Sequence, residues 1–166
     1  MVVRTPDDPA TAYPDSRRAE ARHVVGLAVR TTNAAESAPS GGQIAPLWDR
    51  FMAEGWGSRL EKLGAFGPAI AVYSAYESDA NGSYQLLVGR QVRKPRPVAG
   101  PLVIVTVPQA SYLVFNVPGP LPQAVMDGWR EVWAYFARPH APPRAYTFDV
   151  EMYPEGEPVE IWVAVR

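Results

Sequence analysis

The sequence contains no cysteine, and its only histidines are His23 and His140. The absence of cysteine excludes disulfides, thiolate nucleophiles and cysteine-ligated zinc sites. The two histidines lie far apart in the sequence, and a lone histidine is more often a surface or core residue than a metal ligand. We therefore expect no metal and no other cofactor.

The sequence also lacks a dense block of lysine and arginine, and its net charge is -1. It therefore lacks the basic cluster that binding to a phosphate backbone or to an anionic lipid surface would need. No apolar run approaches the roughly 20 residues that a membrane helix needs, and the acidic, proline-rich N-terminus is unlike a signal peptide. We expect a cytoplasmic protein that contacts neither nucleic acid directly nor a membrane.

What is present indicates one globular domain, because 166 residues with 47% apolar and 20% charged content can bury a sizeable core. Residues 1–21 are polar, rich in proline and without a hydrophobic period. This composition predicts a flexible N-terminal arm followed by a single domain over residues 22–166.

The first half of this domain predicts one helix between β-strands. Residues 44–55 place apolar side chains at helical spacing and end at Gly55. Asn81-Gly82, between the last two β-rich stretches, is a strong hairpin signal. The strands predicted in this half cover residues 24–32, 69–77 and 83–92.

The second half repeats this order after one extra strand. LWDRF at residues 47–51 is similar to GWREV at residues 128–132, which aligns two helix tryptophans. We therefore predict an α+β fold in which strand-helix-strand-strand units, about 23–92 and 110–166, form a mainly antiparallel sheet with two helices. A groove is expected on the pseudo-two-fold axis between the units. The elements predicted here are the extra strand 102–108, the strand 111–119, the helix 122–136 and the strands 145–153 and 159–165.

Glu151 lies in the last predicted hairpin, among aromatic and aliphatic residues. Successive strand side chains point to opposite faces of a sheet. With a four-residue turn at residues 154–157, Val150 and Met152 share the core face, whereas Glu151 lies on the other face, opposite Glu160.

Two interpretations of that second face remain open. It is simply solvated, or its acid is part of a binding site. Directly opposed like charges are unfavourable, and burial would add a desolvation cost. Tyr153 and Trp162, which share this predicted face, are large rings that a purely solvated surface does not need.

Six stretches carry a family resemblance that covers most of residues 23–166 in order. They are VVGLAVRTTN (24–33), IAPLWDRF (44–51), AVYSAYESDANGSYQLLVG (71–89), ASYLVFNVPG (110–119), AYTFDVEMY (145–153) and VEIWVAV (159–165). By these stretches the sequence resembles the gyrase-inhibitor-like effector-binding domains. Such small-molecule modules also occur fused behind DNA-binding domains in drug-responsive bacterial activators of the AraC and MerR types.

The resemblance implies a central groove that binds lipophilic, often cationic, aromatic compounds, with Glu151 as the buried counter-charge and aromatic side chains as walls. The physics agrees, because a ligand cation supplies the charge that a buried carboxylate lacks and ring faces attract the same cation. Strand tyrosines are favoured over helix tryptophans, whose stripe is more often core. The predicted ligand-binding residues are Glu151, Tyr153, Tyr73, Tyr76, Tyr112, Trp48 and Trp133.

Three functions are compatible with these sequence features. The resemblance is to stand-alone members, since 166 residues cannot also hold a DNA reader, and it favours small-molecule binding for sensing or sequestration. Some stand-alone relatives are hydrolases, and Glu151 near tyrosine or tryptophan could activate water. However, the sequence has no nucleophile–base pair and no phosphate-binding loop. The third possibility is a protein–protein module that inhibits gyrase or another partner.

Overall fold

Eight strands and four helices make up residues 14–166, the part of the chain that the computed structural model describes. None of these helices is long and apolar enough to span a membrane. The strands are β1 (Asp15–Ala19), β2 (Arg22–Thr32), β3 (Phe66–Ser74), β4 (Ser83–Val92), β5 (Val103–Val107), β6 (Ala110–Val117), β7 (Arg144–Tyr153) and β8 (Val159–Val165). The helices are α1 (Asn33–Ser37), α2 (Ile44–Ala53), α3 (Trp56–Glu61) and α4 (Gln123–Phe136).

The predicted α+β fold with two strand-helix-strand-strand units is confirmed. The units are β2-α2-β3-β4 and β6-α4-β7-β8, and the order of strands in the sheet is β1-β6-β8-β7-β3-β4-β2-β5. The antiparallel pair β3–β7 joins the units at the centre, and equivalent strands follow outward on both sides. Helices α1 and α3 were not predicted. Helix α3 is separate because Gly55, with φ of 66°, ends the preceding helical run in a left-handed conformation.

The predicted arm over residues 1–21 needs a correction at its C-terminal end. Residues 15–19 form β1, which pairs antiparallel with β6 from Asp15–Val114 to Ala19–Ala110. The side chains of this strand are mostly exposed, and it is held to β6 by backbone pairing. Composition reflects only side chains and therefore does not reveal such a strand. The remainder of the predicted arm, residues 1–13, lies outside the described residues.

The strands at the two ends of this order, β1 and β5, belong to the same long antiparallel pair, so the sheet closes on itself. Ala19 of β1 pairs with Ala110 of β6, and three residues further Arg22 of β2 pairs with Val107 of β5 in the same register. The continuous segment β1–β2 therefore pairs along its length with the continuous segment β5–β6. Closure of this kind leaves few free sheet edges.

The closed sheet has an apolar core on each of its two faces. Valines, Tyr112 and other side chains from every strand fill the inside. The outside is covered by α2 and α3 over one unit and by α4 over the other. Gly26 and Gly89 allow β2 and β4 to approach closely where they pair, because a Cβ on either would lie 2.0 Å or 1.9 Å, respectively, from a backbone oxygen of the other strand.

Helix α4 lies very close to the sheet at Gly128. A Cβ at this position would lie 2.3 Å from Cγ1 of Val117 and 3.0 Å from Cδ1 of Ile161. The next residue, Trp129, is therefore held at a fixed height above strands β6 and β8.

The predicted register of the last hairpin is wrong by one residue. Glu151 pairs with Ile161, and Met152 pairs with Glu160. The connection has one more residue than expected, and it contains Gly156 with φ of 73°. A one-residue slip exchanges the faces of one strand relative to its partner. Glu151 therefore lies beside Ile161 on the face that packs against the helices, and Glu160 does not oppose it.

Candidate functional site

A pocket of about 980 Å³ lies between helices α2 and α4, above strands β3, β4 and β7. It sits at the junction of the two strand-helix-strand-strand units, which is where the sequence predicted a groove. Its volume is within the range of pockets that hold drug-sized molecules.

The rim of the pocket carries exposed apolar side chains. Met52, Leu121, Met126 and Trp133 line it, and their exposed fractions are 70%, 55%, 51% and 41%. Exposed apolar side chains that cluster around a cavity are typical of a binding site rather than of an ordinary surface. Flexible methionines on both helices also suit ligands of varied shape.

Glu151 forms the polar floor of the pocket, and its side chain is held by three neutral donors. It is 1% exposed. Its Oε2 accepts hydrogen bonds from the hydroxyl of Tyr73 and from Nε1 of Trp129, both at 2.6 Å, and its Oε1 accepts one from the hydroxyl of Tyr153 at 2.5 Å. None of the ion pairs found among residues 14–166 includes Glu151.

Burial raises the pKa of the Glu151 carboxyl above its ordinary value, and the three hydrogen bonds oppose that rise. Burial also raises the pKa of the Tyr73 and Tyr153 hydroxyls, and the neighbouring Glu151 charge raises it further. Both tyrosines therefore stay protonated as donors. The carboxylate is solvated by hydrogen bonds but lacks a cationic neighbour within residues 14–166.

Asp149, two residues earlier on β7, is a second buried carboxylate and has a cationic partner. It is 0% exposed, and its Oδ2 accepts hydrogen bonds from Nη2 of Arg144 at 2.8 Å and from the Tyr76 hydroxyl at 2.5 Å. Its Oδ1 accepts one from the backbone N–H of Ala164 at 2.9 Å. A bulge in β7 between Arg144 and Asp149, where Tyr146 has a left-handed φ of 52°, accompanies this contact.

The walls of the pocket are aromatic rings, which contact one another in one group of five and one separate pair. Neighbouring ring centroids are 4.8 to 5.8 Å apart, in edge-to-face or tilted arrangements. Such contacts are favourable beyond simple burial. The neighbouring pairs are Trp48–Tyr153, Tyr73–Trp129, Tyr73–Tyr84, Tyr76–Tyr84 and Tyr76–Tyr146.

Most of the predicted site residues come together here, with one correction. Six of them line the pocket, whereas Tyr112 is 2% exposed inside the closed sheet, where its ring packs 5.7 Å from that of Trp162. The β6 side chains that face α4 are instead those of Leu113, Phe115 and Val117. The six residues in the pocket are Glu151, Tyr153, Tyr73, Tyr76, Trp48 and Trp133.

Two important pocket residues were not among those predicted. Trp129 was assigned to the core because it belongs to an apolar helix stripe, although its alignment with Trp48 was a usable signal. Arg144 was not placed in the pocket, because its position depends on the β7 bulge. Over the described part of the chain, no group of three or more histidine, aspartate and glutamate residues could hold a metal ion.

The family comparison covers almost the whole described chain. The model of Cass2, described as an integron-associated effector binding protein, matches residues 18–165. Among curated proteins, YobU of Bacillus subtilis strain 168, whose name places it provisionally among transcriptional regulators, is 32% identical over 152 residues. The match covers 87% of this chain and 92% of YobU.

Solved structures share the fold over the same extent. The integron cassette protein VCH_CASS2 from the mobile metagenome of Vibrio cholerae has a TM-score of 0.79 and 34% identity, covering 93% of this chain and 97% of that one. SAV2435, in a structure bound to tetraphenylphosphonium, has a TM-score of 0.72 and 20% identity, covering 92% and 93% of the two chains.

Proposed function

This chain belongs to the Cass2 family of integron-associated effector-binding proteins and is a small-molecule-binding protein, and we propose that its ligands are lipophilic aromatic cations. The observation that carries the proposal is Glu151, a carboxylate at the floor of the pocket that has neutral donors and no cationic neighbour among the described residues. A ligand cation in the pocket would supply the missing charge.

The energetics of a buried ion support this assignment. A buried carboxylate without a counter-ion is costly, and attraction to a cation in a poorly solvated site is strong. Tyr73, Trp129 and Tyr153 keep the carboxylate in place without neutralising it. The ligand cation would therefore gain a preorganised partner, which lowers the cost of ordering side chains on binding.

The rest of the pocket suits the apolar part of such a ligand. Ring faces attract cations, and the rings of Tyr73, Trp129 and Tyr153 directly surround the carboxylate. The exposed apolar rim would lose water on binding, which is favourable at about 25 cal/mol per Å² of apolar surface. SAV2435, which shares the fold, binds tetraphenylphosphonium, and this compound is a suitable first probe because its charge is permanent.

The test is a titration with tetraphenylphosphonium in which binding is measured by quenching of tryptophan fluorescence and by calorimetry. Glu151→Gln keeps the shape and most hydrogen bonds but removes the charge. We expect it to weaken binding by about 1 to 3 kcal/mol, which corresponds to roughly 5- to 150-fold.

The matched control is Glu160→Gln, which removes the same charge from β8, where Glu160 pairs with Met152 outside the pocket. It should bind the probe as the wild type does. Unchanged affinity in Glu151→Gln, or equal losses in both variants, would contradict the role of Glu151. Mass spectrometry of the recovered probe distinguishes binding from turnover.

A further inference from the structure

Arg144 brings hydrogen-bond donors into the pocket that its ion pair with Asp149 does not use. Its side chain is 7% exposed, and it lines the pocket. Nη2 donates to Asp149, but Nε is buried and has no hydrogen-bond partner within residues 14–166. Nη1 likewise donates to no described residue. A guanidinium has five N–H donors, so part of its capacity is available to a ligand.

The charge of Arg144 is already balanced, which determines the type of group that it can accept. Asp149 lies 2.8 Å away and also accepts hydrogen bonds from Tyr76 and from a backbone N–H. A ligand carboxylate near Arg144 would therefore also lie near a buried anion. A neutral oxygen acceptor, such as a carbonyl or an ether, would use the remaining donors without adding an unbalanced charge.

Trp129 lies next to both Glu151 and Arg144. Nε1 of this indole donates to Glu151 at 2.6 Å, and its ring centroid is 5.9 Å from Cζ of Arg144. The carboxylate and the guanidinium thus lie beside the same indole ring. Tyr146, whose ring centroid is 4.4 Å from Cζ, covers the guanidinium on another side and fixes its orientation.

We infer that the pocket selects monocationic aromatic compounds that also carry a neutral oxygen acceptor. The cation lies at Glu151, and the acceptor binds the free donors of Arg144. This inference rests on the proposed function and specifies its ligand class further.

The experiment compares two probes of equal charge and nearly equal shape, (4-acetylphenyl)triphenylphosphonium and (4-isopropenylphenyl)triphenylphosphonium. Only the acetyl probe has an oxygen acceptor. We expect wild-type protein to bind the acetyl probe roughly 10- to 150-fold more tightly, as one additional hydrogen bond to a charged donor would give. Arg144→Lys keeps a positive charge beside Asp149 but removes Nε and the planar fork, so the preference should disappear.

Arg50→Lys is the matched control, because Arg50 is exposed, lies outside the pocket and pairs with Glu54. It should keep the preference for the acetyl probe. If Arg144→Lys does not fold, the infrared carbonyl band of the acetyl probe bound to wild type provides a second measurement. A hydrogen bond from the guanidinium should move this band to lower wavenumber than in dry acetonitrile.

Equal affinity of the two probes for wild type, with binding still dependent on Glu151, would overturn the inference and leave the proposed function intact. A preference that survives in Arg144→Lys, or a carbonyl band without a shift, would also overturn it. If wild type bound no phosphonium compound at all, the proposed function would fail and the inference with it.

Discussion

Asp149 and Glu151 lie two residues apart on the same face of one strand, and both are almost completely buried, yet their surroundings differ in kind. Asp149 has a guanidinium, a hydroxyl and a backbone N–H. Glu151 has two hydroxyls and an indole N–H. The first set neutralises a charge, whereas the second only orients one.

This difference separates a structural carboxylate from one that is suited to a ligand. Removing one partner of a buried ion pair leaves an uncompensated charge, which is strongly destabilising. Removing the charge of Glu151 leaves no partner uncompensated, because its donors are neutral and can still bond an amide. The strand therefore combines a site that the fold requires with a site at which the fold tolerates an unbalanced charge.

The largest expected effect comes from removing each charge in turn. Asp149→Asn leaves the buried Arg144 without its counter-ion and should lower the free energy of unfolding by about 3 to 5 kcal/mol. Glu151→Gln should leave it unchanged or raise it, since the desolvation cost of the carboxylate is lost. Urea unfolding of both variants at pH 7 measures the difference directly.

Repeating the urea unfolding at several pH values tests the predicted direction of the Glu151 contribution to stability. Because burial raises the folded pKa of Glu151 above its ordinary value of 4.5, the folded protein binds this proton more tightly than the unfolded chain. The Glu151 contribution to stability is therefore lost as pH rises from 4.5 through the raised value. Glu151→Gln should lack this loss. A similar destabilisation of both variants would remove the distinction between the two acids.

A smaller effect is expected from moving the donor that orients Glu151 while leaving Asp149 alone. Gly128→Ala places a Cβ against Val117 and should cost about 1 to 3 kcal/mol by overpacking. It should also weaken tetraphenylphosphonium binding, because α4 carries Trp129. The measurements are thermal unfolding and the same fluorescence titration.

Gly57→Ala in α3 is the control for the effect of alanine itself. A Cβ there meets no atom within 4 Å, so the variant should be equally or slightly more stable. Its affinity for the probe should not change. Equal behaviour of the two glycine variants would show that the close approach of α4 does not position the indole.

Much of the fold could be predicted from the sequence because the signals were local. The stripe of α2 with Gly55 at its end, and the Asn81-Gly82 turn before β4, report on neighbouring residues only. The duplicated order of elements then identified the central groove. The position of Glu151 in the pocket followed from the family resemblance and from its apolar neighbours.

The errors all concern features that local patterns do not encode. One additional residue in the β7–β8 connection exchanged the faces of β8 relative to those of β7. Tyr112 was placed in the groove because an isolated strand does not reveal that the closed sheet has an apolar interior as well as an apolar exterior. Arg144 was missed because a bulge, and not the sequence spacing, brings it to Asp149.

The most direct test of the account is the affinity for tetraphenylphosphonium as a function of pH in wild type and in Glu151→Gln. The probe does not titrate, so any pH dependence comes from the protein, and the variant removes the contribution of Glu151. In wild type the affinity should rise as pH increases through the raised pKa of Glu151 and then level off, because only the ionised carboxylate attracts the cation. In Glu151→Gln the affinity should be lower at neutral pH and should not show this rise. Identical pH profiles for the two proteins would contradict the claim that Glu151 is the counter-charge of the ligand.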